Sequence, residues 1–286
     1  MASLIFKLLA ALPFGLLHSL GGLAGWLTYA LSPTYRRRLR ANLEQALGST
    51  EAGRVWRRAV SETGRQALEM PWLLLRPQNE VAMKVVQVSG WEHVEAALAR
   101  KGGILFITPH LGCFEIAAQY FSLHGPITVL FRPPKKPVLR PVIEAGRNRG
   151  HIHSAPADVG GVRQLVKALR AGEAVGMLPD QVPGAGEGLW LPFFGRAAYT
   201  MTLAARLSEI NGVTTLFAFG ERLPDGKGFH LRMSPPREPL DGSTETRAVA
   251  INREMEALIR SNPAQYLWGY NRYKRPSGAP PAPTNT

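Results

Sequence analysis

The sequence predicts an α/β fold, in which a largely parallel or mixed sheet is flanked by helices and preceded by an N-terminal apolar membrane-anchoring helix. Three observations predict it. Short apolar runs rich in β-branched residues alternate with helical patterns from about residue 81 to residue 261, the rhythm of a sheet covered on both faces. A long uncharged stretch lies near the start of the chain. The composition, 45% hydrophobic and 19% charged over 286 residues, suits one large globular domain with an appendage and excludes disorder for most of the chain.

The anchor comes first in order. From Leu8 to Leu31 the sequence LLAALPFGLLHSLGGLAGWLTYAL contains no Lys, Arg, Asp or Glu. Its length as a helix, at about 1.5 Å per residue, matches the roughly 30 Å hydrocarbon core. Pro13, His18 and the glycines Gly15, Gly21, Gly22 and Gly25 would bend it or let it lie in the interface, so the anchor is monotopic or spanning. Lys7 alone stands for a basic n-region and no Ala-x-Ala site follows, which favours retention over cleavage. The block Tyr35-Arg36-Arg37-Arg38-Leu39-Arg40 is of the kind that stays on the cytoplasmic side and pairs with anionic lipid. The expected organisation is an anchor over residues 1–35, one domain over 36–275 and a tail over 276–286.

Residues 38–47 and 52–75 carry apolar residues at helical spacing, with Pro71 interrupting the second segment. Residues 81–88 read as a strand, 91–100 as a helix and 104–108 as an apolar strand after Gly102-Gly103. The rhythm continues with a helix over 115–123, a strand over 127–131, helices over 137–147 and 161–171, and a strand over 174–178. A helix over 200–210, strands over 214–220 and 229–233, and a helix over 244–261 complete the domain. The tail PSGAPPAPTNT has little to bury and is expected to be disordered.

A single cysteine, Cys113, cannot form an intrachain disulfide, so packing must hold the fold. A net charge of +13 and a pI near 10.4 favour anionic partners: nucleic acid, lipid headgroups or acidic carrier proteins. No nucleic-acid motif accompanies the charge, and an apolar anchor argues against that partner.

The richest local signal is ILFITPHLGCFEIAAQ, residues 104–119, where a buried strand runs into His110 and a helix opens shortly after. In an open α/β sheet the carboxyl ends of strands are where ligands bind, and a following helix N-terminus presents free N–H groups to developing negative charge. Residues five apart on one helix are about 140° out of phase, so His110 meets Glu115 only if His110 sits on the loop. Leu111-Gly112 allows that. Glu115 would then accept from one ring nitrogen while the other takes a proton from a hydroxyl.

The segment His110-Leu111-Gly112-Cys113-Phe114-Glu115 resembles the His-x4-Asp/Glu box of glycerolipid acyltransferases, and more closely the lipid A biosynthesis acyltransferase branch, of lauroyl- or myristoyltransferase type. RRRLRANLEQAL, Phe131-Arg132-Pro133, Leu178-Pro179-Asp180-Gln181, Pro192-Phe193-Phe194-Gly195, Gln265-Tyr266-Leu267-Trp268 and Arg272-Tyr273-Lys274-Arg275-Pro276 are similar to that branch in the expected order. The likeness spans residues 1–276. It implies acyl transfer from an acyl carrier protein, or less often from acyl coenzyme A, to a hydroxyl of a phosphorylated glycolipid at the cytoplasmic face of a bacterial inner membrane. No metal or redox cofactor is implied. By matched position His110 would be the general base and Glu115 its orienting partner, with Arg132 binding a lipid phosphate or the oxyanion. Asp180 and Gln181 would form a second polar wall, and Phe194 and Gly195 would line the acyl channel. Arg147, Arg149, Arg163 and Lys167 would steer an acidic carrier. Cys113 reads as a small buried hydrophobe. The other readings of the same residues are an acyltransferase acting on a different lysolipid and a noncatalytic membrane-associated scaffold.

Overall fold

The computed structural model describes residues 2–132 and 140–283. After helices α1 (Ala2–Ala11), α2 (Phe14–Leu31), α3 (Pro33–Leu47), α4 (Ser49–Leu75) and α5 (Gln78–Ala82), the α/β part begins. It runs β1 (Val85–Ser89), α6 (Trp91–Ala99), β2 (Ile104–Ile107), α7 (Phe114–Phe121), β3 (Ile127–Phe131), α8 (Arg140–Arg147), β4 (Ile152–Pro156), α9 (Val159–Arg170) and β5 (Ala174–Met177). There follow β6 (Gly188–Phe193), β7 (Arg196–Met201), α10 (Leu203–Ser208), β8 (Thr214–Arg222), β9 (Phe229–Ser234) and α11 (Thr244–Ser261). The main sheet has the order β1-β9-β8-β2-β5-β3-β4, and β6 and β7 form a separate ribbon. Strands β8, β2, β5, β3 and β4 are parallel, whereas β9 runs against β8 and β1 runs with β9. The sheet is therefore mixed and mostly parallel.

Strand alternation splits the core in two. On β2, Leu105 and Ile107 face a cluster built with α3, α4, α9, α10 and α11, while Ile104 and Phe106 face a second cluster built with α6 and α7. β2 is buried along its whole length, as expected of a central parallel strand.

The apolar N-terminal stretch is not one helix: it breaks near Pro13 into α1 and α2. No helix among the described residues is long and apolar enough to cross a membrane. One face of α2, Phe14, Leu17, His18, Gly21, Gly25 and Tyr29, is buried, chiefly against α4. There the backbones touch, because a Cβ on Gly64 would overlap the carbonyl of Gly21 and the backbone of Gly25. The opposite face leaves Leu16, Leu20, Leu23, Leu27 and Leu31 exposed, a contiguous apolar stripe that no element among the described residues covers.

Between α2, α4 and β8 lies a buried ion cluster. Arg222 donates to Glu69 (2.5 and 2.8 Å) and Glu62 (2.8 Å), and His18 lies 3.2 Å from Glu69. Burial alone would raise the Glu69 carboxyl, but Arg222 and His18 hold it below its ordinary value of 4.5. A depressed carboxyl pKa contributes stability above the unfolded value, and that stability is lost as pH falls below about 4.5. Arg222→Met leaves two buried carboxylates short of a partner. It is expected to cost about 3–5 kcal/mol, measured as the shift in the denaturant midpoint of the purified protein.

Several sequence expectations change here. Helix α4 continues through Pro71 to Leu75, where Arg149 donates to the carbonyls of Leu73, Leu74 and Arg76, satisfying groups that a helix end leaves open. Residues 78–82 are a helical turn, and the strand begins at Val85. Strands β4, β6 and β7 have no counterpart among the expected elements, and the first part of the 137–147 helix lies outside the described residues. The tail is ordered at its start. Ala279 is buried against Val182 and Tyr199, and Trp190 Nε1 donates to the Pro280 carbonyl at 2.9 Å.

Candidate active site

His110 and Asp180 lie 70 residues apart in sequence and touch in space. The reason is strand register: β2 and β5 are adjacent and parallel with Ile107 opposite Met177, and each site residue stands three positions beyond its member of that pair. Both therefore leave the carboxyl end of the sheet side by side, at the location where open α/β sheets hold ligands. Asp180 is 1% exposed. Its Oδ2 accepts from the His110 backbone N–H at 2.9 Å and its Oδ1 faces His110 Nδ1 at 2.7 Å. Burial would raise this carboxyl, but the charge and hydrogen bonds of His110, with a smaller contribution from Arg272, hold it below its ordinary value.

An ionised carboxylate beside Nδ1 fixes the tautomer, so Nδ1 carries the hydrogen and Nε2 keeps its lone pair. Gln181 fits that assignment, with its Nε2 amide 3.0 Å from His110 Nε2. The arrangement is an oriented imidazole whose basic nitrogen is met, among the described residues, by a side-chain amide.

The carboxylate on the ring is thus Asp180 and not Glu115. Helix α7 begins at Phe114, and from its first turn Glu115 reaches α8. There Arg147 clasps it with two bonds of 3.1 and 2.7 Å, the bidentate fork geometry of arginine and carboxylate. Arg147 also lies over the Phe131 ring at 4.9 Å.

The turn between His110 and α7 is held from several sides. Leu267 N–H donates to the His110 carbonyl (3.1 Å), Gly112 N–H to Gln265 (3.0 Å) and Cys113 N–H to Gly220 (2.7 Å), while Gln66 donates to the Gly112 carbonyl (3.0 Å). Gly112 has φ +58, and a Cβ there would overlap the Gly220 carbonyl, so this position requires glycine. Cys113 is buried, and burial pushes its thiol well up, which removes it as a nucleophile at neutral pH.

A cavity of about 260 Å³ opens beside the imidazole. His110, Glu115, Arg132, Arg147 and Gln181 contribute to its wall, and the remainder is mostly apolar, including Trp91, Phe106, Phe121, Val129, Leu231 and Met233. The apolar part lies on the sheet face beneath α6 and α7. This cavity can bury a narrow apolar chain and present one polar end to His110. Among the described residues no group of three or more His, Cys, Asp or Glu side chains is placed to hold a metal ion.

Phe194 and Gly195 are not part of it. They form the two-residue turn of the β6–β7 ribbon with φ of 49° and 74°, the left-handed pair that suits a tight hairpin. Phe194 N–H donates to Glu256, and its ring packs near Trp268. Arg149 is likewise structural, spent on Gln119 and the end of α4, whereas Arg163 and Lys167 stay exposed on α9. Tyr266 bridges to Leu111 on the turn after His110, and Arg272 is buried and donates to Tyr199 and Thr200; sequence does not single out either as a site residue, because their place depends on the chain returning to the sheet after α11.

Residues 2–275 match the sequence model of the family described as bacterial lipid A biosynthesis acyltransferase. The lipid A biosynthesis lauroyltransferase of Escherichia coli strain K12 is 29% identical over 283 residues, covering 96% of this chain and 91% of that protein. The palmitoleoyltransferase of the same organism is 29% identical over 224 residues, 77% of this chain and 69% of its own length. Its myristoyltransferase is 27% identical over 263 residues, with 88% and 78% covered. A match from the second residue to the end of the ordered domain, carried by relatives that are all acyltransferases, leads to one conclusion: this chain is an acyltransferase and belongs to the bacterial lipid A biosynthesis acyltransferase family.

Proposed function

We propose that the protein moves a fatty acyl chain from the thioester of an acyl carrier protein to a hydroxyl of a lipid A precursor, with His110 as general base and Asp180 as the group that orients it. The observation that carries this reading is the oriented, basic Nε2 of His110 at the wall of a largely apolar cavity. The acceptor hydroxyl takes the place of the Gln181 amide at Nε2 and gives up its proton as its oxygen attacks the thioester carbonyl. A tetrahedral oxyanion forms. It collapses as the C–S bond breaks, and the proton returns from Nε2 to the departing thiolate, so no acyl-enzyme is needed. Arg132 and Arg147, both on the cavity wall, are suited to a phosphate of the acceptor or of the carrier's prosthetic arm.

The exposed leucine stripe on α2 supports seating on the cytoplasmic leaflet of the inner membrane, without a spanning helix. Arg36, Arg37, Arg38 and Arg40, exposed or nearly so on α3, would meet its anionic headgroups. Net charge of +13 supports capture of an acidic carrier.

The test incubates detergent-purified protein with acylated carrier protein and a tetra-acylated lipid A precursor and follows acceptor mass. A gain of one acyl chain is expected, and no gain with intact donor and acceptor overturns the proposal. The cavity adds a prediction about chain length. Gly176 on β5 lines it, and a Cβ there would come 3.3 Å from Val129 Cγ1 and 3.6 Å from Ile127 Cδ1. Gly176→Val fills the apolar end. Its kcat/KM for the longest accepted donor should fall about tenfold or more relative to a donor two carbons shorter, measured by competition between the two donors.

A further inference from the structure

We propose that Gln265 is a positioning residue for the reaction: its side-chain amide docks the segment after α11 onto the end of β8, and that segment holds the His110 turn in place for the imidazole to act on substrate. The inference rests on the general-base reading of His110 given above.

The amide fills a gap in the sheet. β2 ends at Ile107, opposite Phe217 of β8, whereas β8 continues to Arg222. Beyond Phe217 the edge of β8 that faced β2 has lost its strand neighbour, and buried peptide groups must find other partners. Cys113 N–H donates to the Gly220 carbonyl at 2.7 Å. At Arg222 the partner is the Gln265 side chain: the Arg222 N–H donates to Gln265 Oε1 and Gln265 Nε2 donates to the Arg222 carbonyl, each at 2.8 Å. The amide thus pairs with β8 as a peptide of a neighbouring strand would. Gln265 is 3% exposed, and the Arg222 guanidinium is tied to Glu62 and Glu69, so the peptide that receives the amide is itself fixed.

The main chain of the same segment grips the catalytic turn. Gly112 N–H donates to the Gln265 carbonyl and Leu267 N–H to the His110 carbonyl, with Leu111 opposite Tyr266 in an antiparallel bridge. A strand pair this short does not hold itself together. Its stability comes from what it is docked on, and Gln265 supplies the docking. In the sheet β2 lies between β8 and β5. His110 is therefore fixed from both neighbours, by Asp180 beyond β5 and through Gln265 on β8. Gln265 does not line the cavity, so its effect on the reaction passes through His110.

Gln265→Met keeps the volume and removes both bonds to Arg222. Gln66 still holds the Gly112 carbonyl, so the turn loosens without being lost. The expected result is a fall in kcat per folded molecule of about 10- to 100-fold, the scale on which small misplacements of a catalytic group act. KM should stay within about twofold, because the cavity is intact. A second readout needs no turnover. The proton on His110 Nδ1, 2.7 Å from Asp180 Oδ1, is followed by NMR of the detergent-purified protein as a downfield resonance, assigned by its absence in His110→Ala. It should shift or broaden in Gln265→Met. Gln265→Asn, which keeps an amide on a shorter arm, should show both effects in smaller measure and serves where the methionine variant does not fold.

A merely structural role predicts a lower unfolding midpoint with kcat per folded molecule and the resonance both at their native values. Asn252→Leu is the control for that outcome, since it removes a buried amide bound to the Pro192 carbonyl of β6. A folded Gln265 variant with native kcat, with a native resonance, or with its whole loss in KM overturns the inference. If the native protein transfers no acyl chain, the general-base reading has failed, and the resonance alone decides whether Gln265 sets the imidazole.

Discussion

His110→Ala is expected to lower the rate of acyl transfer by about 10³-fold, within the 10²–10⁴-fold range that positioned acid–base groups contribute, while leaving a folded protein. The fold should survive because the imidazole is a partly exposed side chain on a loop, and the turn that bears it is held by backbone bonds to Leu267, Gln265 and Gly220. Asp180 loses one partner but keeps the backbone N–H of residue 110. The measurement is the initial rate of acceptor mass gain together with the unfolding midpoint. An undiminished rate in a folded variant removes His110 from the mechanism.

The second large effect is expected at Asp180. Asparagine has nearly the same shape, yet its amide N–H₂ cannot accept from Nδ1–H. The imidazole then takes the other tautomer, with hydrogen on Nε2, and points a donor at the hydroxyl it should deprotonate. Asp180→Asn should therefore reduce kcat by about 10³–10⁴-fold with little change in KM, as loss of a tautomer-fixing carboxylate does in other His-dependent acyl transfer enzymes. Glu115→Gln provides the contrast, because its bonds go to Arg147 and it leaves the His110 tautomer untouched. A loss of kcat with Glu115→Gln equal to that of Asp180→Asn, at unchanged KM, would return the orienting role to Glu115.

The difference between these two carboxylates marks where sequence reading stopped. Spacing along the chain makes Glu115 the natural partner of His110, since both belong to one short segment. Pairing across β2 and β5 is invisible locally: it depends on which strands neighbour each other and in what register, and an apolar run such as Ile104–Ile107 does not name its neighbour. The same limit explains β6 and β7. Their residues alternate weakly around Pro192 and two adjacent aromatics, and the hairpin turn uses Phe194 at a left-handed position usually filled by Asn, Asp or Gly. By contrast β3, α6 and α11 were legible to within a residue, because each is bounded by turn residues or a capping serine and has a clear period. The exposed stripe of α2 was legible only as hydrophobicity. That its other face would be consumed by backbone contact with α4 depends on Gly64, which belongs to a different helix.

The equal offset of His110 and Asp180 from the Ile107–Met177 pair also bears on how this chain can vary. Inserting or deleting one residue after either strand would displace one partner by about 3.3 Å along the sheet axis, more than the whole length of the hydrogen bond between them. The two loops are therefore coupled in length, and each sets a proline, Pro109 or Pro179, immediately before its site residue. Homologous replacement of one must preserve its residue count up to the site.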